Sequence, residues 1–211
     1  GPDLGPDVTA RIKALCKEYR DILGGSKGEG ATLAPPMNKT KRAIKLVLYP
    51  NADLEDVVAR FRRTSPDDAK LLEEFALKME KEGRLRRETN APASSLALVV
   101  KKDDGSRRVV VNFGPLNQQL LSNHFPLPRI DDTLDFLAKG AFRSSYDLWL
   151  CFHQFGISPE SIPLTATWFS PTLLMSWMVA PMGIKVIPAA VQSVMSTEFN
   201  KARLSAQERS R

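Results

Sequence analysis

Phe142-Arg143-Ser144-Ser145-Tyr146-Asp147-Leu148-Trp149-Leu150-Cys151-Phe152-His153-Gln154 sets one carboxylate, Asp147, in an apolar and aromatic run, with a bulky ring, Phe152, five positions later. Such a run reads as a strand. Burying a lone carboxylate is costly unless it serves a metal or a partner, so Asp147 is the first candidate for chemistry. Upstream, Pro128 opens an amphipathic helix with Ile130, Leu134 and Leu137 on one face, ending at Gly140. Downstream, the pattern gives a hairpin around Ser170-Pro171 and a last helix from Pro188 through Phe199.

The first half has its own punctuation. Ile12, Leu15, Tyr19, Ile22 and Leu23 recur at helical spacing until Gly24-Gly25 stops them. A linker rich in Gly, Lys and Pro follows over 26–40, then an alternating, strand-like stretch from Ala43 to Tyr49. Ser65, Pro66 and Asp68 form a capping-box-like start to a helix whose apolar face is Leu72, Phe75, Ala76 and Met79, with Gly83 as its stop. Asp103-Asp104-Gly105-Ser106 is turn chemistry between two strands, Leu96 to Lys102 and Arg107 to Phe113.

Composition narrows the class. The chain has 211 residues, 43% hydrophobic and 26% charged, which is the balance of a globular protein with a real core. Thirty Lys and Arg against 24 Asp and Glu give a net charge of +6, favouring a polyanionic partner. No apolar run reaches the roughly 18 residues of a membrane span, so no membrane partner is expected. Cys16 and Cys151 each stand in an apolar setting and read as buried thiols of a reducing compartment, which predicts an intracellular protein, cytoplasmic or nuclear. His124 and His153, the only histidines, have no Cys or second His at ligand spacing, so a zinc site is not expected. Trp168, Met175, Trp177, Met178 and Met182 crowd the second half and read mostly as core.

Taken in order, these segments resemble the reverse transcriptase of gypsy-type long-terminal-repeat retrotransposons. The resemblance is carried by Phe125 to Asp132 and the Asp147 run, by Val99 to Phe113 with Leu116-Asn117, by Ala180-Pro181-Met182-Gly183, by Pro188 to Gln192, and by Leu33 to Pro36, Tyr49-Pro50 and Ser65 to Asp68 in the leader. It implies an α+β fold, the fingers and partial palm of a right-hand polymerase, in which antiparallel strands pack with helices. The expected divisions are 1–64 for the N-terminal helix, linker and leader strand, 65–125 for the fingers, and 126–211 for the partial palm.

The resemblance also assigns roles. Asp147 matches the first catalytic aspartate, a ligand of Mg²⁺ if any metal is bound. Phe152 matches a ring that excludes the ribose 2′-hydroxyl. Arg108 matches the arginine that holds the incoming triphosphate, with Lys102 near the position of its partner lysine; Lys101 and Arg107 complete a basic hairpin suited to phosphate. Gly183 and Gln192 fall in the segments that hold primer and template. Several positions depart from the family: Asn112 stands for an Asp, Gly114 for an Arg, Val186-Ile187-Pro188 for Asn-Ala-Pro, and Trp149-Leu150 for Arg-Ser. No Asp follows Asp147, whereas the family pairs two more in a later hairpin, so these 211 residues are not expected to extend a primer alone. The leading expectation is a reverse-transcriptase-derived protein or fragment that binds RNA or DNA. A domesticated or effector-like module that contacts a protein partner or self-associates, and a piece of an active RNA-directed DNA polymerase, stand as alternatives.

Overall fold

In a computed structural model, the structure describes residues 5–18, 43–123, 125–126, 129–139, 147–148 and 150–209, with Phe136 and 201–209 described in backbone only. The elements in order are α1 (Pro6–Glu18), α2 (Pro66–Lys81), β1 (Leu85–Arg87), β2 (Ser95–Lys101), β3 (Arg107–Asn112), α3 (Gly114–Gln119), α4 (Ile130–Ala138), β4 (Thr167–Ser170), β5 (Leu173–Trp177) and α5 (Ile187–Arg209). The fold is α+β, as expected. The chain divides into two compact units: one takes 1–35 and 128–150, with α1 and α4, and the other takes 36–127 and 151–211, with the sheet and the remaining helices.

The second unit is organised by a five-stranded sheet in the order β1-β5-β4-β2-β3, in which every pairing is antiparallel except β2 with β4. Both expected hairpins form. In the β2–β3 hairpin, Gly105 sits at φ +77 behind Asp103-Asp104, and its N–H donates to the Lys102 carbonyl at 2.9 Å. This is a type I turn closed by a left-handed residue. The Asp104 carboxylate accepts the Ser106 N–H at 2.8 Å, and hydrogen bonds from the Ser106 side chain first and that N–H second hold its pKa below the ordinary value. The β4–β5 turn at Ser170-Pro171 carries a register shift between Trp168 and Ser170.

Helix α2 lies against this sheet. Its start is the expected one: Ser65 Oγ accepts the Asp68 N–H at 3.2 Å and donates to Asp68 Oδ2 at 2.8 Å, with Pro66 in the first turn. Leu72, Ala76 and Met79 are buried, and Phe75 stacks on Phe169 of β4 with ring centroids 6.1 Å apart. Gly83, at φ +70, ends the helix while the Arg84 N–H reaches back to the Met79 carbonyl at 2.9 Å. Ser65→Ala is expected to cost about 1 kcal/mol. Urea denaturation of that single variant measures it.

Three local expectations change. Residues 43–49 make two isolated bridges, Ile44 with Ile157 and Leu48 with Leu120, instead of a continuous strand, because the two ends pair with different partners. The last helix runs on to Arg209, since no Gly or Pro interrupts the sequence after Pro188. The predicted apolar face of α4 is exposed at Ile130, Leu134 and Leu137, and α1 buries none of its residues. Cys16, on α1, is therefore an exposed thiol and not a buried one, while Cys151 is half-buried. Residues 19–42, including Tyr19, Ile22, Leu23 and the linker, lie outside the described residues, as do His124, Pro128, Gly140 and Trp149. Among the described residues no helix is long and apolar enough to cross a membrane.

Candidate nucleic-acid interface

Alternation along β2 and β3 decides where the basic side chains go. Directly opposed residues of an antiparallel pair share a face. Lys101 opposes Arg107, and Val99 opposes Val109 on that same face, where both valines pack on the core beneath α2. Arg108 opposes Val100 on the other face, beside Leu98, and both apolar neighbours are exposed. Lys102 lies in the turn. The four cations expected to project together are thus split: Lys101 and Arg107 on one face, Arg108 on the other, Lys102 at the tip.

Arg107 is also engaged. Its guanidinium donates to Asp68 Oδ1 at 3.1 Å, tying β3 to the first turn of α2. Lys101, Lys102 and Arg108 are exposed and make no ion pair among the described residues. These three are the hairpin cations free to meet a polyanion.

The other expected site residues are less alike in setting. Gly183 sits in an exposed turn at φ +102, a conformation that favours glycine, and an added Cβ there would lie 3.5 Å from the Phe113 ring and from the Val111 carbonyl. Asn117 clamps this turn: its side-chain amide donates to the Gly183 carbonyl at 2.8 Å, and its Oδ1 accepts the Lys185 N–H at 2.8 Å. Gln192 is half-buried in the second turn of α5, with Nε2 at 3.5 Å from Ser196 Oγ. Phe152 is half-buried against the core in a 3-10 turn, Cys151–Gln154, and not on a strand. Leu150, at φ +47, bends the backbone out of the extended region just before it.

Asp147 belongs to the first unit and the hairpin, Phe152, Gly183 and Gln192 to the second. Its carboxylate is exposed and lies in no strand, so the desolvation cost that drew attention to it does not arise; 141–146 and Trp149 are outside the described residues. No group of three or more His, Cys, Asp or Glu able to hold a metal ion occurs among the described residues. A hard cation needs several oxygen ligands, so the one exposed carboxylate of Asp147 does not by itself fit Mg²⁺.

Arg84 escaped the sequence reading. Its side chain is buried, yet it pairs through Nε with Glu82 at 3.2 Å and approaches His153 Nδ1 at 3.1 Å. His153 in turn packs on Trp177 of β5, centroids 5.5 Å apart. Burial, reinforced by the Arg84 charge, lowers the His153 pKa from 6.5 to about 4. The neutral ring accepts from Arg84 and anchors the Phe152 turn to the entry of β1. No local signal marks it: Arg84 and Leu85 are adjacent and both buried, so strand alternation does not foretell an inward Arg.

The chain is similar in sequence to parts of several known proteins. No family model matches the chain. It is 33% identical over 203 residues to the retrovirus-related Pol polyprotein from transposon 297 of Drosophila melanogaster, an alignment covering 92% of this chain and 18% of that protein. It is 28% identical over 197 residues to the corresponding polyprotein from transposon 412 of the same fly, covering 90% of this chain and 15% of that one. It is also 32% identical over 112 residues to the enzymatic polyprotein of Cestrum yellow leaf curling virus, covering 51% of this chain and 17% of the viral protein. The chain therefore spans less than a fifth of each of these relatives, and its similarity is to the pol region of retroelements.

Proposed function

We propose that this chain is the fingers and first part of the palm of a gypsy-type reverse transcriptase, and that it binds RNA or DNA through phosphate contacts that do not read sequence. The observation that carries the reading is the β2–β3 hairpin, where Lys101, Lys102 and Arg108 stand exposed without an ion pair among the described residues. Colinear similarity to Pol polyproteins over nine-tenths of the chain and the net charge of +6 support it. In this reading Arg108 and Lys102 take phosphate, Arg107 braces the hairpin on α2, and Phe152 and Gly183 belong to the nucleotide and template surface. Binding, and no catalytic step, is assigned to these 211 residues.

Fluorescence anisotropy against a labelled oligonucleotide at several salt concentrations tests this. Each phosphate contact contributes roughly 0.7 to 0.9 to the slope of log affinity against log salt. Reversing Lys101, Lys102 and Arg108 to Glu together is expected to flatten that slope by about 2 units and to weaken every sequence alike. An unchanged slope, or no binding by the parent at low salt, overturns the proposal. The second reading, contact with a protein partner or a second copy, rests on the exposed Ile130, Leu134 and Leu137 of α4. Sedimentation of the chain alone reports the self-associating case.

A further inference from the structure

Away from the hairpin, helix α3 fixes an aromatic ring and a cation side by side. The Tyr49 N–H donates to the Gln119 carbonyl at 2.9 Å, and the Tyr49 carbonyl accepts the Ala52 N–H at 3.0 Å, so the backbone of Tyr49 is held on both sides. Asn117, two residues before Gln119 on the same short helix, holds the Lys185 N–H. The Lys185 ammonium then lies 5.7 Å from the centroid of the Tyr49 ring, over its face. Tyr49 is 39% exposed and Lys185 is exposed. The Leu48–Leu120 bridge turns Val47, Tyr49 and Leu121 to its outer side, and all three are exposed, while Leu120 on the inner side is fully buried.

A water-facing tyrosine of this kind is ordinarily free to sample rotamers. Here the Tyr49 and Lys185 backbones are both anchored to α3 and the ammonium lies over the ring, which favours this arrangement beside apolar surface and a turn clamped by Asn117. A ring that stacks a base and an ammonium that meets its phosphate are the two parts of a single-strand binding platform, and stacking is tolerant of sequence because every base has a face. The nearest carboxylate in sequence, Asp53, accepts the Glu55 N–H at 2.9 Å, while its own N–H donates to the Gln119 side chain at 3.1 Å.

We propose that Tyr49 and Lys185 form a stacking platform for an unpaired base of single-stranded RNA or DNA, with Lys185 taking the adjacent phosphate. This rests on the nucleic-acid reading above but uses none of the hairpin residues.

The probe is a short single-stranded oligonucleotide carrying 2-aminopurine, whose fluorescence is quenched when the base stacks on a ring. Binding by the parent chain is expected to quench it. Tyr49→Leu is expected to abolish most of the quenching and weaken binding about 5- to 100-fold, the range of base–aromatic stacking, while Tyr49→Phe retains both. Lys185→Gln is expected to lower the salt slope by roughly 0.7. Circular dichroism and thermal melts verify that each variant folds; if Tyr49→Leu does not, the Phe and Lys185→Gln variants decide. Parent binding with quenching unchanged in Tyr49→Leu overturns the platform and leaves the hairpin reading intact. Hairpin-dependent binding without any quenching overturns it too, whereas no binding by the parent overturns both.

Discussion

Phe169→Ala is expected to destabilise the sheet-bearing unit by about 3–5 kcal/mol. Phe169 is fully buried on β4, stacked on Phe75 of α2, and Phe75 also approaches Trp177 of β5 at 6.4 Å. Removing the ring deletes the contact between helix and sheet at its centre, and close-packed neighbours relax into such a gap only in part. The expected readout is a lowered urea midpoint with an unchanged slope, because the same surface is exposed on unfolding. A loss below about 1 kcal/mol would mean that α2 does not depend on this stack.

Acidification should act through one histidine. The His153 pKa is about 4 in the folded chain against 6.5 for an ordinary histidine, so between those values the unfolded state binds the extra proton. Stability from this group is therefore complete above about pH 6.5 and is lost as pH falls toward 4, by about 3 kcal/mol at most. Asp and Glu residues titrate in the same range, so the measurement is a difference between parent and His153→Gln, which keeps an acceptor for Arg84 but cannot be protonated. The parent is expected to lose stability more steeply than the variant from pH 6.5 to 4. Parallel curves would show that His153 charges without penalty in the folded state.

The sequence made some of this legible for local reasons. Ser65-Pro66 with Asp68, Gly83, and Asp103-Asp104-Gly105 each encode their geometry within a few residues, and each forms as read. The apolar stripe of α2 was readable because its partner sheet exists. The similar stripe on α4 is exposed at Ile130, Leu134 and Leu137, since periodicity reports which residues share a face and not how far that face is buried. The split of the hairpin cations required the register: Lys101 opposing Arg107 and Val100 opposing Arg108 are facts of pairing that a count of basic residues does not contain. Asp147 stood out by its apolar neighbours in sequence, yet such a run does not by itself determine burial, and the residue is exposed. Arg84 with His153, and Tyr49 with Lys185, join residues far apart in the chain, so no local pattern announces them.

The sheet order has a consequence in time. Arg87 ends β1 and Ser95 begins β2, close neighbours along the chain, yet the β4–β5 hairpin is wedged between them. When the ribosome has released β1, β2 and β3, the two early strands face a vacant slot whose filling waits for Thr167 to Trp177. Until then β2 has only β3 beside it, and its other edge shows unpaired backbone to the cell. Closing such a sheet means completing a long-range parallel contact, a slow step that exposes sticky intermediates. Refolding of this chain should accordingly be limited by docking of that hairpin, and chaperone dependence should be concentrated in the interval before it emerges.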